Sequence, residues 1–282
     1  EAVKTEKSQD VLKAWILPSG NKFIKDPALR HIRPAGDPGG DFPFVQPDFD
    51  DSSWEEINLP HDWAIRGPFL EGPDAEVGGG MGRLPVNGVG WYRKKLHSTD
   101  SDQGKSIFLD VDGAMSYTMV WLNGHIVGGW PYGYNSWRLD LTPYIIIGAD
   151  NQLAIRLDNP AHSARWYPGG GIYRNIWLVK TNPVHIAQWG TYLTTKEVTG
   201  KSATVNIECT IDNESGQNVS IKVVNRIYAL DSEGERIDDE VAFAGPAETE
   251  ILAGTSSVVK FSTVLKNPRL WGPPPTQAPH MY

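Results

Sequence analysis

The 282 residues carry a net charge of −8 and are 40% hydrophobic, enough length for about two domains with packed cores. The acidic balance excludes the clustered Lys and Arg that nucleic acid or an anionic membrane surface would need, and no apolar run approaches the ~20 residues of a transmembrane helix. With 29 Gly, 21 Pro, 11 Trp, 10 Tyr and 8 Phe, the composition favours turns and β-structure over long helices.

Residues 1 to about 50 read as irregular, broken by Pro34, Pro38, Gly39 and Gly40. Phe49-Asp50-Asp51-Ser52-Ser53-Trp54 reads as a turn, and Ile57-Asn58-Leu59-Pro60 as a short docking strand. A long glycine-rich loop, Gly67 to Gly90, precedes the strand Val89 to Leu96; loops of this length are often functional. Further strands are expected at Ile107–Asp112, Thr118–Leu122, Ile126-Val127, Leu153–Leu157 and Ile172–Val179. Asn123-Gly124 joins the second and third of these, and such a pair between apolar runs is the strongest short hairpin signal. Short strands at this spacing read as a β-sandwich or jelly roll.

Thr181-Asn182-Pro183 marks the boundary, giving domains 1–182 and 183–282. Beyond it Val205, Ile207, Cys209 and Ile211 alternate with polar residues, so one face is buried and one is wet. Val219–Ala229, a turn at Asp231-Ser232-Glu233-Gly234, Ile237–Phe243 and Ser257–Val264 follow. About six strands in about 100 residues fit an immunoglobulin-like sandwich without the disulfide. Cys209, the single cysteine, reads as a buried thiol. The opening Glu1-Ala2-Val3-Lys4-Thr5 shows no signal peptide, as in a mature periplasmic or secreted protein whose signal has been removed, or a segment that starts within a longer chain. The sequons at Asn213 and Asn218 do not decide between these.

Hydrolysis of a glycosidic bond needs two flanking carboxyl groups, about 5–5.5 Å apart when configuration is retained. Asp110 and Asp112, two apart on one strand and so about 6.5–7 Å from each other, are the one pair with suggestive spacing, and a solvated strand face explains them more simply. The seven histidines have no zinc-motif spacing, Asp231–Glu235 reads as a turn rather than a calcium loop, and neither triple glycine is a phosphate loop. No metal, cofactor or catalytic residue is expected in this chain. The segment Asp158, Asn159, Arg165, Trp166 and Tyr167, on a loop leaving a strand, offers what sugar recognition uses: planar polar groups for hydroxyls and aromatic faces for C–H surfaces. The alternative is that Trp166 and Tyr167 pack the loop while Arg165 pairs with Asp158.

An ordered series of motifs runs through nearly the whole chain: Phe49-Asp50-Asp51-Ser52-Ser53-Trp54, Leu59-Pro60-His61-Asp62-Trp63, Gly90-Trp91-Tyr92-Arg93-Lys94, Val120-Trp121-Leu122-Asn123-Gly124, Asp140-Leu141-Thr142, Leu157-Asp158-Asn159, and Arg165-Trp166-Tyr167-Pro168-Gly169-Gly170-Gly171-Ile172-Tyr173-Arg174-Asn175. The series resembles the N-terminal part of family 2 glycoside hydrolases, the β-galactosidase branch above all. The resemblance implies an all-β chain: a jelly-roll, galactose-binding-like sandwich, then an immunoglobulin-like sandwich left incomplete at Tyr282. The unpaired edge so left would favour dimers or larger homo-oligomers. It also implies that the two catalytic glutamates belong to a (β/α)₈ barrel absent from this sequence. By position, the aspartate that contacts galactose hydroxyls falls on Asp158, and an asparagine approaching the site falls on Asn87. The expected partner is a β-linked carbohydrate, bound together with the barrel. A stand-alone carbohydrate-binding module and a β-sandwich that binds a protein through a sheet edge are the competing readings.

Overall fold

The computed structural model describes residues 14–16, 24–36, 42–66, 88–160 and 169–282. The chain is all-β and divides into two compact units, Glu1–Lys180 and Thr181–Tyr282. The first unit holds β1 (Gly88–His97), β2 (Ser106–Val111), β3 (Thr118–Leu122), β4 (His125–Trp130), β5 (Trp137–Asp140), β6 (Asp150–Asn159) and β7 (Ile176–Thr181). They form a four-stranded sheet in the order β1-β6-β3-β4 and a three-stranded sheet in the order β5-β2-β7.

Alternation explains how the sheets meet. Leu153, Ile155 and Leu157 of β6, with Val120 and Leu122 of β3, pack against Ile107, Leu109 and Val111 of β2 and Trp137 of β5. The opposite face of the four-stranded sheet is covered as well: Met119, Trp121 and Ala154 pack with Ile16, Val45 and the Phe42 ring. Of the N-terminal residues, the described stretches 14–16 and 42–49 therefore cover this face with aromatic and apolar side chains, and the second stretch is held by Arg93. That guanidinium, 2% exposed, pairs with Asp51 at 2.7 Å and donates to the carbonyls of Phe44, Gln46 and Phe49. Asn123 and Gly124 have φ of 52° and 83°, the left-handed pair that a tight β3–β4 hairpin demands.

The second unit holds β8 (Val184–Lys196), β9 (Ser202–Asn213), β10 (Val219–Leu230), β11 (Arg236–Ile251) and β12 (Thr255–Lys266), as a sheet β12-β9-β8 and a pair β10-β11. Val205, Ile207, Cys209 and Ile211 of β9 meet Ala244 and Ile251 of β11 in its core, and Cys209 is a buried free thiol. Asn213 is not an accessible sequon: it is 1% exposed, and its amide donates to the carbonyls of Gln217, Ile251 and Leu252.

Several sequence expectations need correction. Ile57–Pro60 is not a strand, and β7 begins at Ile176 rather than Ile172, because Ile172–Asn175 spend their backbone groups on other segments. The strands β5 and β8 were not expected. The second unit has five strands among the described residues, with β11 running through to Ile251.

Candidate functional site at the end of the four-stranded sheet

The site begins with a seat for glycines. The backbone N–H groups of His61 and Trp63 donate to the carbonyls of Ile172 and Gly170 at 2.8 Å, and Gly170 N–H returns to Asp62 Oδ1 at 2.9 Å. Asp62 Oδ1 also accepts from Ala64 N–H. The Trp63 ring lies between Gly90 of β1 and Gly170, where an added Cβ would sit 2.6 Å and 2.8 Å from ring carbons. Gly171 has φ of +137° and faces the His61 carbonyl oxygen, so a side chain there is both strained and obstructed. The triple glycine and Leu59-Pro60-His61-Asp62-Trp63, two separate motifs in the sequence, are thus one packed unit.

A hydroxyl network closes this seat onto β1. Tyr92 Oη accepts from Ile172 N–H at 3.4 Å and lies 2.8 Å from His61 Nδ1. The contact serves either tautomer: Nδ1 accepts from the hydroxyl when the imidazole proton is on Nε2 and donates to it when the proton is on Nδ1. Burial pushes the Tyr92 phenol up to about 12. It also holds His61 below its ordinary value, aided by the Arg66 charge.

Strand β6 delivers the two candidate polar residues to the same place. Gly88 pairs with Asn159 and Val89 with Asp158, and on the other side Ser116 bonds to Asp158 through both backbone groups and its hydroxyl. The loop that ends at Gly88 and the loop that leaves Asn159 therefore start from one rung of the sheet. Past it, Gly171 and Met115 exchange backbone hydrogen bonds. Asp158 is 0% exposed and Arg156 2% exposed, and Arg156 Nη2 lies 3.3 Å from Asp158 Oδ2. The two side chains share one face of β6 because they are two residues apart. Burial draws the guanidinium below its ordinary value, opposed by the Asp158 charge.

Asp158 and Asn159 thus stand together at this end of the sheet, both buried. Asn87, Arg165, Trp166 and Tyr167 lie outside the described residues. Asp110 and Asp112 are engaged separately. Arg138 grips Asp110 with two bonds of 2.6 and 2.7 Å while lying over the Phe108 ring, and Asp112 Oδ2 accepts from Trp177 Nε1 at 2.9 Å. Among the described residues no three His, Cys, Asp or Glu side chains gather as a metal site. Arg156 is the residue that sequence reasoning missed. Its signal was present: a lone cation in the otherwise apolar run Leu153–Leu157, two positions before an aspartate.

Comparison with known proteins agrees with this architecture. Residues 184–282 match the model of glycosyl hydrolases family 2, and residues 49–163 match that of the β-galactosidase second all-β domain. The β-galactosidase BoGH2A of Bacteroides ovatus is 41% identical over 84% of this chain and 27% of its own length. A putative β-glucuronidase of Formosa agariphila is 32% identical over 85% of this chain and 21% of its own. A solved family 2 structure from Bacteroides cellulosilyticus superposes with a TM-score of 0.67 at 33% identity, covering 81% of this chain and 29% of that one. The chain spans about a quarter of the length of these relatives. With two paired sheets, a glycine seat joining the sequence motifs, and family-model matches over both units, the chain belongs to glycoside hydrolase family 2.

Proposed function

We propose that this chain is the non-catalytic, pocket-lining and scaffold part of a retaining family 2 glycosidase that hydrolyses terminal β-galactosides. The observation that carries the reading is the shared rung Gly88↔Asn159. It roots the loop bearing Asn87 and the loop bearing Arg165, Trp166 and Tyr167 side by side, so that both can line one substrate pocket. Asn159 sits at the root of the second loop. Asp158 lies one residue inside, where Arg156 compensates its charge; it reaches a sugar hydroxyl only after a rearrangement at the end of β6. The first unit then corresponds to a jelly-roll, galactose-binding-like domain and the second to an immunoglobulin-like one, in a periplasmic or secreted parent.

Catalysis is assigned to two glutamates outside this sequence. Retention requires a nucleophile and an acid/base carboxyl about 5–5.5 Å apart across the bond, and in the one suggestive pair Asp110 is gripped through both carboxylate oxygens by Arg138, which leaves Asp112 without a second carboxyl. The chain alone is therefore expected to leave a nitrophenyl β-galactoside intact, and turnover above the buffer rate would refute this. Galactoside is preferred to glucuronide because the more identical of the two relatives above is a β-galactosidase. Ligand-detected NMR of the chain against galactose, lactose, glucuronate and mannose tests the pocket. Saturable binding to galactose or lactose, reduced in Asn159→Ala, supports the reading; selective binding of glucuronate would replace the galactoside assignment.

A further inference from the structure

On a different set of residues, the first unit carries a second polar and aromatic depression. Its volume is about 280 Å³, and it is lined by Pro60, Asp112, Ser136, Tyr173, Arg174 and Asn175. Three contacts fix its walls. The Tyr173 hydroxyl donates to the Gly133 carbonyl at 2.8 Å, tying the β4–β5 connection to the segment before β7. Ser136 Oγ donates to the Asp112 carbonyl at 3.0 Å, and Trp177 Nε1 holds Asp112 Oδ2 at 2.9 Å.

Exposed aromatic rings border this depression. Tyr132 is 56% and Trp177 53% exposed, and Tyr132 and Tyr134 stand as a tilted pair with ring centroids 5.3 Å apart. Single exposed rings are ordinary, but exposed rings gathered beside a polar depression have the composition of a ligand surface. The neighbouring polar groups have capacity to spare. Among the described residues nothing donates to Asp112 Oδ1, and the Arg174 guanidinium makes one long bond, 3.5 Å, to the Asp112 carbonyl. Asn175 is exposed beside them.

We infer that this surface is a holding site for a neutral β-linked oligosaccharide, separate from the Asn159 loop and independent of the catalytic reading above. Each part has a role set by the chemistry of pyranoses. The Tyr132–Tyr134 pair presents flat faces to the C–H surface of a ring. Asp112 Oδ1 accepts from hydroxyls, while Arg174 and Asn175 donate to hydroxyl or ring oxygens. The volume lies at the lower end of the range for ligand pockets, which suits one or two sugar rings of a longer chain. The wall holds one carboxylate, Asp112, and one guanidinium, Arg174, so it carries no net charge, which suits a neutral glycan.

The test is a titration of the 282-residue chain with β-1,4-galactotetraose and cellotetraose, followed by NMR shifts of backbone amides. Saturable shifts at residues 132–136 and 173–177 are expected. Replacing both tyrosines (Tyr132→Ala with Tyr134→Ala) is expected to weaken binding by about tenfold or more, the equivalent of about 1.4 kcal/mol, and Asp112→Asn by several-fold. Thermal unfolding of each variant checks that the fold survives; if one does not, Trp177→Phe, which replaces the indole by a phenyl ring and removes the donor that holds Asp112, is expected to weaken binding several-fold, and unchanged binding there would count against the inference. Absence of saturable shifts with either tetrasaccharide would overturn the inference, as would binding that is unchanged in the tyrosine variant. Binding lost in Asn159→Ala but intact in the tyrosine variant would also overturn it, by moving the site to the other loop, and would leave the preceding functional reading standing.

Discussion

The two units bury their central strands differently. In the first, every residue of β6 from Asn151 to Asn159 is buried, because a sheet covers one face and the aromatic N-terminal segment the other. In the second, β9 alternates between buried and half-exposed positions, so one face alone is dry. β8 leaves Ile186, Tyr192 and Leu193 more than half exposed. A strand dry on both faces has nowhere to hide a charge, so a polar residue there must bring its own partner. The first unit carries an Arg156–Asp158 pair in such a strand, next to the residues expected to meet substrate. The second carries its charges on the wet face, as in the Lys260–Glu208 pair, where they contribute little.

The largest effect that would test this contrast is at Arg156. Arg156→Met leaves Asp158 buried without its cation, and such a loss costs about 3–5 kcal/mol. The urea midpoint of the first unit should fall accordingly, and adding Asp158→Leu should restore much of it. A loss below about 1 kcal/mol would mean that the strand is wetter than described.

A smaller effect concerns pH. His61 is held below its ordinary 6.5, chiefly by burial, so the unfolded chain takes up the proton before the folded one does. The stability tied to the neutral imidazole is complete above about 6.5 and is lost as pH falls from there toward the lowered folded value. Urea midpoints at pH 7.5 and 5.5 should drop more in the wild type than in His61→Asn. Equal drops would place the acid sensitivity elsewhere.

The smallest effect is expected on β8. Leu193→Ser, at a position 55% exposed, should change stability by no more than about 0.5 kcal/mol, as surface substitutions usually do. A loss beyond 1 kcal/mol, or one that depends on protein concentration, would show that a second copy covers this strand.

Alternation made much of this legible in the sequence. β3, β9, β10 and β12 stand close to where period-two patterning puts them, and the Asn123-Gly124 turn announced its hairpin. β8 was lost because its register jumps between Ile186↔Ile211 and Thr191↔Cys209, and the four residues Ala187–Gly190, set against Thr210 alone, destroy the period. β5 is four residues long, too short to show one. The segment Ile172–Asn175 looked like the start of a strand because it runs without a break into the apolar Ile176–Val179, yet its backbone bonds go to His61, Asp112 and Gly113. Such contacts, some 60 or more residues apart in the chain, leave no local trace. At the candidate site, residue type, order and the family resemblance single out Asp158 and Asn159. The spacing of Arg156 and Asp158 was also in the sequence, but that the pair is dry was not, since its burial is contributed by other segments.

The glycine seat has one more consequence. The segment between Asn159 and Gly169 is fastened at one end by the β1–β6 ladder and at the other by bonds to Asp62, Trp63 and Met115. Closing a loop between fixed ends costs only about 0.6 kcal/mol more for each doubling of its length. The length of that stretch can therefore change at small cost while the sandwich stays intact. On the function proposed above, a lineage built on this frame can change the length of one substrate-facing loop without rebuilding the sandwich that carries it.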